Sequence, residues 1–278
     1  GTAYPGGAPR LGSMRSTRQI IPTPLLRPAY RLYEARLLQK IDAGRFPHHI
    51  AVILDGHRRY ARSEGLADYR ESYRAGMAKF EEFLGWTSEL GIEAVTGWLL
   101  STENLKRPTE ELAPLFEVFI EFFARLSDCT NSLGYQLRFI GSMDLLPPEL
   151  SAAAKQAAER SRSHPRRLTI ALGYGGRQEI ADATRELVRS LSESAAPGAD
   201  ITAGITPDAI ARHLYASDMP DPDLVIRTSG ESRLSGFLLW QAAYSEYSFV
   251  DVYWPEFRRV DFLRELRNYT QRERRFGQ

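Results

Sequence analysis

The chain has 278 residues, with 36 Lys plus Arg against 35 Asp plus Glu, a net charge of +1 and 43% hydrophobic residues. That length and apolar content suit one large domain, and the balanced charge argues against a nucleic-acid partner. A single cysteine excludes an internal disulfide, and no apolar run reaches the ~18 residues of a membrane span.

Gly1 to Ser13 is rich in Gly and Pro and has no periodicity. It reads as an appended or loose tail, and the absence of an apolar centre argues against a signal peptide. Residues 14–278 read as a single domain. From Leu25 to Ile41 apolar residues recur at helical spacing beneath an Arg-rich face. This helix packs on the body of the protein or touches a membrane surface peripherally, and packing is the simpler expectation. Ile50-Ala-Val-Ile-Leu54 then reads as a buried parallel strand. It ends in Asp55-Gly56-His57-Arg58-Arg59-Tyr60. There an Asp can hold Mg²⁺, the Gly lets backbone approach a ligand, and the Arg residues offer forks to a diphosphate. The rival reading is a plain turn with an N-cap Asp.

A helix is expected over Arg74 to Leu90 and a strand over Glu93 to Ser101. The strand leads into the polar cluster Ser101-Thr102-Glu103-Asn104-Leu105-Lys106-Arg107, which is either a functional loop or an ordinary strand-to-helix connection. Glu110 to Leu133 is a long apolar helix containing Cys129, expected to be a buried thiol in a reducing cytoplasm. Strands at Tyr135 to Gly141, Leu168 to Tyr174 and Asp223 to Thr228 follow. Helices over Pro148 to Arg162, Gln178 to Ser192 and Asp261 to Arg274 complete the set. This alternation predicts an α/β fold with a central parallel sheet flanked by helices. Gly173-Tyr174-Gly175-Gly176-Arg177 lacks the spacing of a dinucleotide fingerprint and reads as a tight turn. The last strand opens into Arg227-Thr228-Ser229-Gly230-Glu231-Ser232-Arg233-Leu234-Ser235, whose cations and hydroxyls can grip a phosphate. Phe237 to Ala243 reads as core, and Glu246 at its end is a candidate acid or a surface residue.

Ligands of open α/β sheets bind beyond the carboxyl ends of the strands. At those ends the chain offers one Asp, one Glu, an Arg/Ser grip and an Arg-rich helix start, all with apolar neighbours. That combination suits a substrate with a diphosphate head and a hydrocarbon tail.

Four segments then resemble one family in order and spacing: His49 to Gly56, Leu100 to Asn104, Gly173 to Arg177, and Asp223 to Glu231 with Phe237 to Gln241. They are similar to the cis-prenyltransferases, of which undecaprenyl diphosphate synthase is the best-known member. The resemblance spans about Pro47 to Gly277 and is closest to the short-chain (Z)-farnesyl diphosphate synthases. It implies a homodimer, a hydrophobic tunnel, Mg²⁺, and condensation of isopentenyl diphosphate with an allylic diphosphate. Asp55 would bind Mg²⁺, joined by Glu246 reaching across the dimer. Gly56, His57, Arg58, Arg59 and Tyr60 would bind the allylic diphosphate, and Arg227, Arg233 and Ser235 that of isopentenyl diphosphate. Ser101, Glu103, Asn104 and Arg107 would line the reacting centre, with Ser101 and Asn104 relaying the departing proton. Arg275 and Gly277 resemble a C-terminal element that completes the diphosphate site in some members.

The departures are informative. The family usually carries Asn at the position of His57 and Trp at that of Tyr60. Downstream, its Arg and Gly-His pair give way to Asp68-Tyr69-Arg70-Glu71-Ser72-Tyr73-Arg74, where Arg70 or Arg74 is expected to supply the missing charge. Long-chain members place a small residue where this chain has Leu99. A larger side chain in a tight tunnel costs on the order of 1–3 kcal/mol, enough to stop elongation early. The expected product is therefore short, a C15 (Z)-prenyl diphosphate made from a geranyl or dimethylallyl primer. The alternatives are head-to-middle condensation of the lavandulyl type, suggested by His57, a longer-chain synthase, and a non-catalytic prenyltransferase-like subunit. The last is disfavoured because Asp55, Arg59, Arg227, Arg233 and Glu246 are all present.

Overall fold

The computed structural model describes residues 23–196 and 198–272. The N-terminal tail and the Arg275–Gly277 element lie outside the described residues. The sheet begins at its centre. β1 (His49–Ile53) is followed by the short helix α2 (His57–Ser63), then α3 (Tyr69–Glu89) and β2 (Ala94–Ser101). After α4 (Thr109–Leu133) come β3 (Tyr135–Ile140), α5 (Pro148–Arg160), β4 (Arg166–Tyr174) and α6 (Gly176–Ser194). The short α7 (Pro207–Ala211), β5 (Leu224–Arg227), β6 (Glu246–Phe249) and α8 (Arg259–Gln271) finish the chain, and α1 (Thr23–Leu38) precedes it.

The six strands lie in the order β3-β4-β2-β1-β5-β6, and each pairing is parallel. The chain moves outward from β1 to one side and later to the other, which creates a topological switch point at the carboxyl end of β1. Such a point is where parallel sheets open a crevice.

Alternation along the strands divides the core. Ile50 and Val52 of β1, with Leu224 and Ile226 of β5, meet Met77, Phe80 and Phe83 of α3 and Phe119, Phe122 and Phe123 of α4 in the larger cluster. Ala51, Ile53 and Val225 face the other way, toward Phe237, Leu238 and Ala242. Phe237, Leu238 and Ala242 are thus buried in the core, as expected of Phe237 to Ala243 from its composition.

Three expectations need correction. The sheet has a sixth strand, β6, which is a four-residue edge with one buried position and so carries no apolar run. Helix α3 starts at Tyr69 rather than Arg74, because Asp68 caps it by accepting the Arg70 N–H at 2.8 Å. Cys129 is half-buried rather than buried, and burial still raises its thiol to about 11.

Helix α1 packs as the simpler expectation had it. Arg258 of the loop before α8 donates to the Tyr30 hydroxyl at 2.9 Å, and the Arg264 guanidinium lies 5.2 Å from the centre of the Tyr33 ring. Among the described residues no helix is long and apolar enough to cross a membrane.

Candidate active site

A cavity of about 540 Å³ opens beyond the carboxyl ends of β1, β2 and β5. It lies within the roughly 300–1,000 Å³ range of small-molecule sites. Its polar end is built by the three turns that leave those strands.

The first turn holds Asp55 and Gly56. Gly56 adopts a left-handed φ of 107°, and a Cβ there would stand 2.8 Å from the Tyr253 ring. No other residue type fits without displacing that ring. The Thr228 hydroxyl ties this turn to the one after β5, accepting the Asp55 N–H at 3.0 Å and donating to the Asp55 carbonyl at 2.9 Å. Burial alone would raise the Asp55 pKa. The hydrogen bond and charge of Arg227 outweigh it, with help from the Gly56 amide and Arg59, and hold the carboxyl below its usual range.

Arg227 ends β5 and is 5% exposed. One side of its fork meets Asp55 Oδ2 at 2.9 Å, and the other meets Ser235 Oγ at 2.9 Å and the Arg233 carbonyl. Arg59 donates to Ser229 Oγ at 2.6 Å and lies 3.4 Å from Glu231, which also pairs with Arg233 at 3.1 Å. Glu231 therefore sits between the two arginine groups, a position the sequence reading did not assign. Ser229 and Ser235 both hold positive φ, 77° and 51°, without being glycine. Backbone held in this sparsely populated region is characteristic of ligand-gripping loops.

The second turn holds Ser101 and Asn104, whose backbone N–H donates to Ser101 Oγ at 3.0 Å. Arg58 pairs with Glu111 at 3.0 Å. Arg107 lines the cavity, and among the described residues no hydrogen bond or ion pair holds its side chain. Burial, and then the charge of Arg58, lower its pKa. A half-buried cation without a counter-ion is a ready partner for an anionic ligand.

The apolar end runs between α3 and α4 and is lined by Met77, Leu99, Leu100, Leu115 and Phe119. The pairing of β2 with β4 shifts register between Trp98 and Leu100 and again before Ser101. This bulge breaks strict alternation: Leu99 and Leu100 both face the larger cluster, while Trp98 faces the smaller one. Leu99 follows the regular alternation of Val95 and Gly97, and the bulge re-aims Leu100 onto the same face, as bulges beside active sites do, so that both leucines line the cavity.

His57 also lines the cavity. Part of the residue is exposed, but its ring nitrogen Nε2 is buried without a hydrogen-bond partner. The ring sits beneath α3, where a Cβ at Gly76 would fall 2.0 Å from Nε2. Burial lowers its pKa to about 4, so the ring is neutral near pH 7.

The structure thus brings together Asp55, Gly56, His57, Arg58, Arg59, Leu99, Ser101, Asn104, Arg107, Arg227, Arg233 and Ser235 around one cavity. Others stand apart. Arg70 forks onto Glu117 at 2.7 and 3.0 Å, and Arg74 onto Glu121 at 2.9 and 2.7 Å. Both lie on the outer side of α3, facing α4 carboxylates. Instead α3 turns Tyr73 and Met77 toward the cavity. Tyr60 and Glu103 do not line it. Glu246 starts β6 level with Leu224, at the opposite end of the strands from Asp55, and pairs with Arg272 at 2.7 Å. Arg62, Tyr73 and Glu231 are lining residues that the sequence reading left unassigned.

Comparison with known proteins agrees with this geometry. A family model described as that of the undecaprenyl diphosphate synthases matches residues 53–277. The chain is 50% identical over 251 residues to a (2Z,6E)-farnesyl diphosphate synthase of Thermobifida fusca, covering 90% of this chain and 97% of that one. It is 48% identical over 256 residues to an isoprenyl transferase of Thermus thermophilus, covering 91% and 97%. Among solved structures it resembles lavandulyl diphosphate synthase from Lavandula x intermedia in complex with dimethylallyl diphosphate. The TM-score is 0.78 at 31% identity, over 84% of this chain and 99% of that one.

Proposed function

Since the chain belongs to the undecaprenyl diphosphate synthase family and is a prenyltransferase, we propose that it condenses isopentenyl diphosphate with a geranyl or dimethylallyl primer and stops at a C15 (Z)-prenyl diphosphate. The observation that carries this reading is the cavity's division: arginines, serines and Asp55 at one end, and an apolar passage walled by Leu99 at the other.

Gly56, Arg58, Arg59 and Arg107 hold the allylic diphosphate, and Arg227, Arg233 and Ser235 hold that of isopentenyl diphosphate. Arginine forks stabilise charge that grows on the departing diphosphate. The allylic C–O bond breaks, and the isopentenyl double bond supplies the electrons of the new C–C bond. A proton then leaves the neighbouring carbon. Ser101 and Asn104, which line the same cavity, would pass it to a diphosphate oxygen, so that inorganic diphosphate and the cis alkene are the products.

Mg²⁺ belongs to this proposal. Asp55 is an ionised oxygen donor at the polar end, and among the described residues no group of three or more acidic, His or Cys side chains forms a closed cage. Mg²⁺ commonly binds through one or two carboxylates together with substrate phosphates, so a lone Asp beside a diphosphate grip fits it. When bound, the ion supplies Lewis-acid neutralisation of the leaving group. The homodimer also belongs here: Glu246 lies far from Asp55 in its own chain, which supports a role toward the partner's site. Peripheral membrane contact would use α1, whose Leu32 is 57% exposed.

Incubation with labelled isopentenyl diphosphate and each primer tests the reading. A linear C15 product with a new cis bond is expected. A chain of ten or more isoprene units contradicts the length, and a branched product contradicts linear joining and points to His57.

A further inference from the structure

Helix α3 faces the cavity where positive charge was expected, yet its arginines point away. The residue in their place is Tyr73, which is 4% exposed and lines the cavity. Its ring packs against His57, with centroids 5.6 Å apart, and against Tyr69 at 6.4 Å. Its hydroxyl is buried and has no hydrogen-bond partner. A buried hydroxyl without a partner is costly, and most native ones are satisfied. The charged groups acting on it are Arg107, Arg58 and Glu111, all at the polar end. Arg107 is itself without an ion pair among the described residues. Two donors that nothing in the described chain satisfies therefore line the same cavity as Arg58 and Arg59, the other arginines assigned to the allylic diphosphate.

We propose that Tyr73 is a substrate-binding residue whose hydroxyl donates a hydrogen bond to the allylic diphosphate, acting beside Arg107 as a neutral donor. The inference rests on the prenyltransferase reading above and adds a residue to it. The ligand is a diphosphate oxygen, because a tyrosine hydroxyl flanked by arginines is matched by an anionic acceptor and not by a hydrocarbon tail. Burial raises the Tyr73 pKa, so the hydroxyl keeps its proton near neutral pH and remains a donor. Helix phase accounts for the choice of residue. Tyr69, Tyr73, Gly76, Met77 and Phe80 share the inner face of α3, whereas Arg70 and Arg74 share the face that pairs with Glu117 and Glu121.

The test compares the full chain with its Tyr73→Phe variant by calorimetric titration with geranyl diphosphate and, separately, isopentenyl diphosphate, both with Mg²⁺. Each protein is also melted thermally. Phenylalanine keeps the ring contacts and removes only the hydroxyl. Loss of a hydrogen bond to a charged oxygen should weaken geranyl diphosphate about tenfold to a hundredfold. Isopentenyl diphosphate affinity should be unchanged. The melting temperature should stay the same or rise, since an unsatisfied buried hydroxyl is lost. Unchanged geranyl diphosphate affinity overturns the proposal. So does equal weakening of both ligands with a lowered melting temperature, which would assign Tyr73 to packing. Wild-type protein that binds neither diphosphate overturns the prenyltransferase reading itself.

Discussion

Arg227 and Asp55 form a 2.9 Å ion pair across the ends of the adjacent strands β5 and β1. The arginine is almost wholly buried and the carboxylate is half-exposed at the cavity. The pair is therefore both a structural joint and the polar floor of the site. Removing one partner of a buried pair leaves the other charge uncompensated, which typically costs 3–5 kcal/mol in a dry interior, so roughly 2–3 kcal/mol is expected here given the exposure of Asp55. Asp55→Ala should lower unfolding stability in urea by about that amount. Asp55→Asn, which keeps a hydrogen-bond acceptor for Arg227, should lose less. Equal stability of both variants and wild type would show that the pair holds nothing.

The fit of His57 beneath α3 depends on Gly76. A methyl group at 76 meets the imidazole at a distance no real contact shows. Gly76→Ala should cost about 1–3 kcal/mol through overpacking. His57→Asn supplies a smaller side chain and should recover most of that loss in the double variant. A double-mutant cycle read by denaturation checks the coupling, and additive effects would contradict the contact.

The pH dependence of stability has a defined sign. Burial lowers both His49 and His57 to about 4 in the folded chain. Unfolded, each titrates near its ordinary ~6.5, so the unfolded state binds more protons between those values. Stability is full above ~6.5 and falls as pH drops toward 4, by about 2 kcal/mol per histidine between pH 7 and 5. Urea denaturation at the two pH values measures this loss. Replacing His57 by Asn should reduce it by about half, and an unchanged slope would remove His57 as a cause.

Leu99 is proposed to set product length. Leu99→Ala opens the wall between Met77 and Phe119 and should shift products to longer chains, for about 1–2 kcal/mol of stability, since the leucine already borders the cavity. Chromatography of dephosphorylated products reads the length. An unchanged C15 product would place the stop elsewhere, with Leu115 or Phe119 the next residues to shorten.

The position of Glu246 allows a subunit test. If it serves the partner's site, mixing Asp55→Ala and Glu246→Ala chains restores one intact site per mixed dimer. About a quarter of wild-type activity is then expected after random reassociation of a two-fold dimer. If Glu246 acts within its own chain, the mixture stays inactive.

Much of this architecture was legible in the sequence, and the exceptions have physical causes. The strands ending at Asp55, Ser101 and Arg227 announced themselves as apolar runs followed by polar turns. β6 did not, because an edge strand with one buried residue carries no such run. Arg70 or Arg74 was expected at the site to replace a charge that the family resemblance implied. The start of α3 at Tyr69 fixes its phase, and that phase turns the arginines outward and Tyr73 inward. Helical spacing of Tyr69, Tyr73, Met77 and Phe80 was the signal that could have revealed this. The bulge that turns Leu100 onto the same face as Leu99 comes from pairing with β4, and a pairing irregularity leaves no mark in a single strand's pattern. Glu231 between the two arginine groups likewise depends on a loop closing back on α2.

The central claim is that this cavity joins isopentenyl diphosphate to a short allylic diphosphate through chemistry centred on Asp55. The most direct measurement incubates wild type and Asp55→Ala with Mg²⁺, geranyl diphosphate and labelled isopentenyl diphosphate, and follows label entering a C15 (Z) product. The account predicts that product from wild type and at least about a thousandfold less from the variant, as loss of leaving-group stabilisation requires. Folded wild-type protein that forms no prenyl product with any primer, or an Asp55→Ala variant that turns over as wild type does, would contradict it.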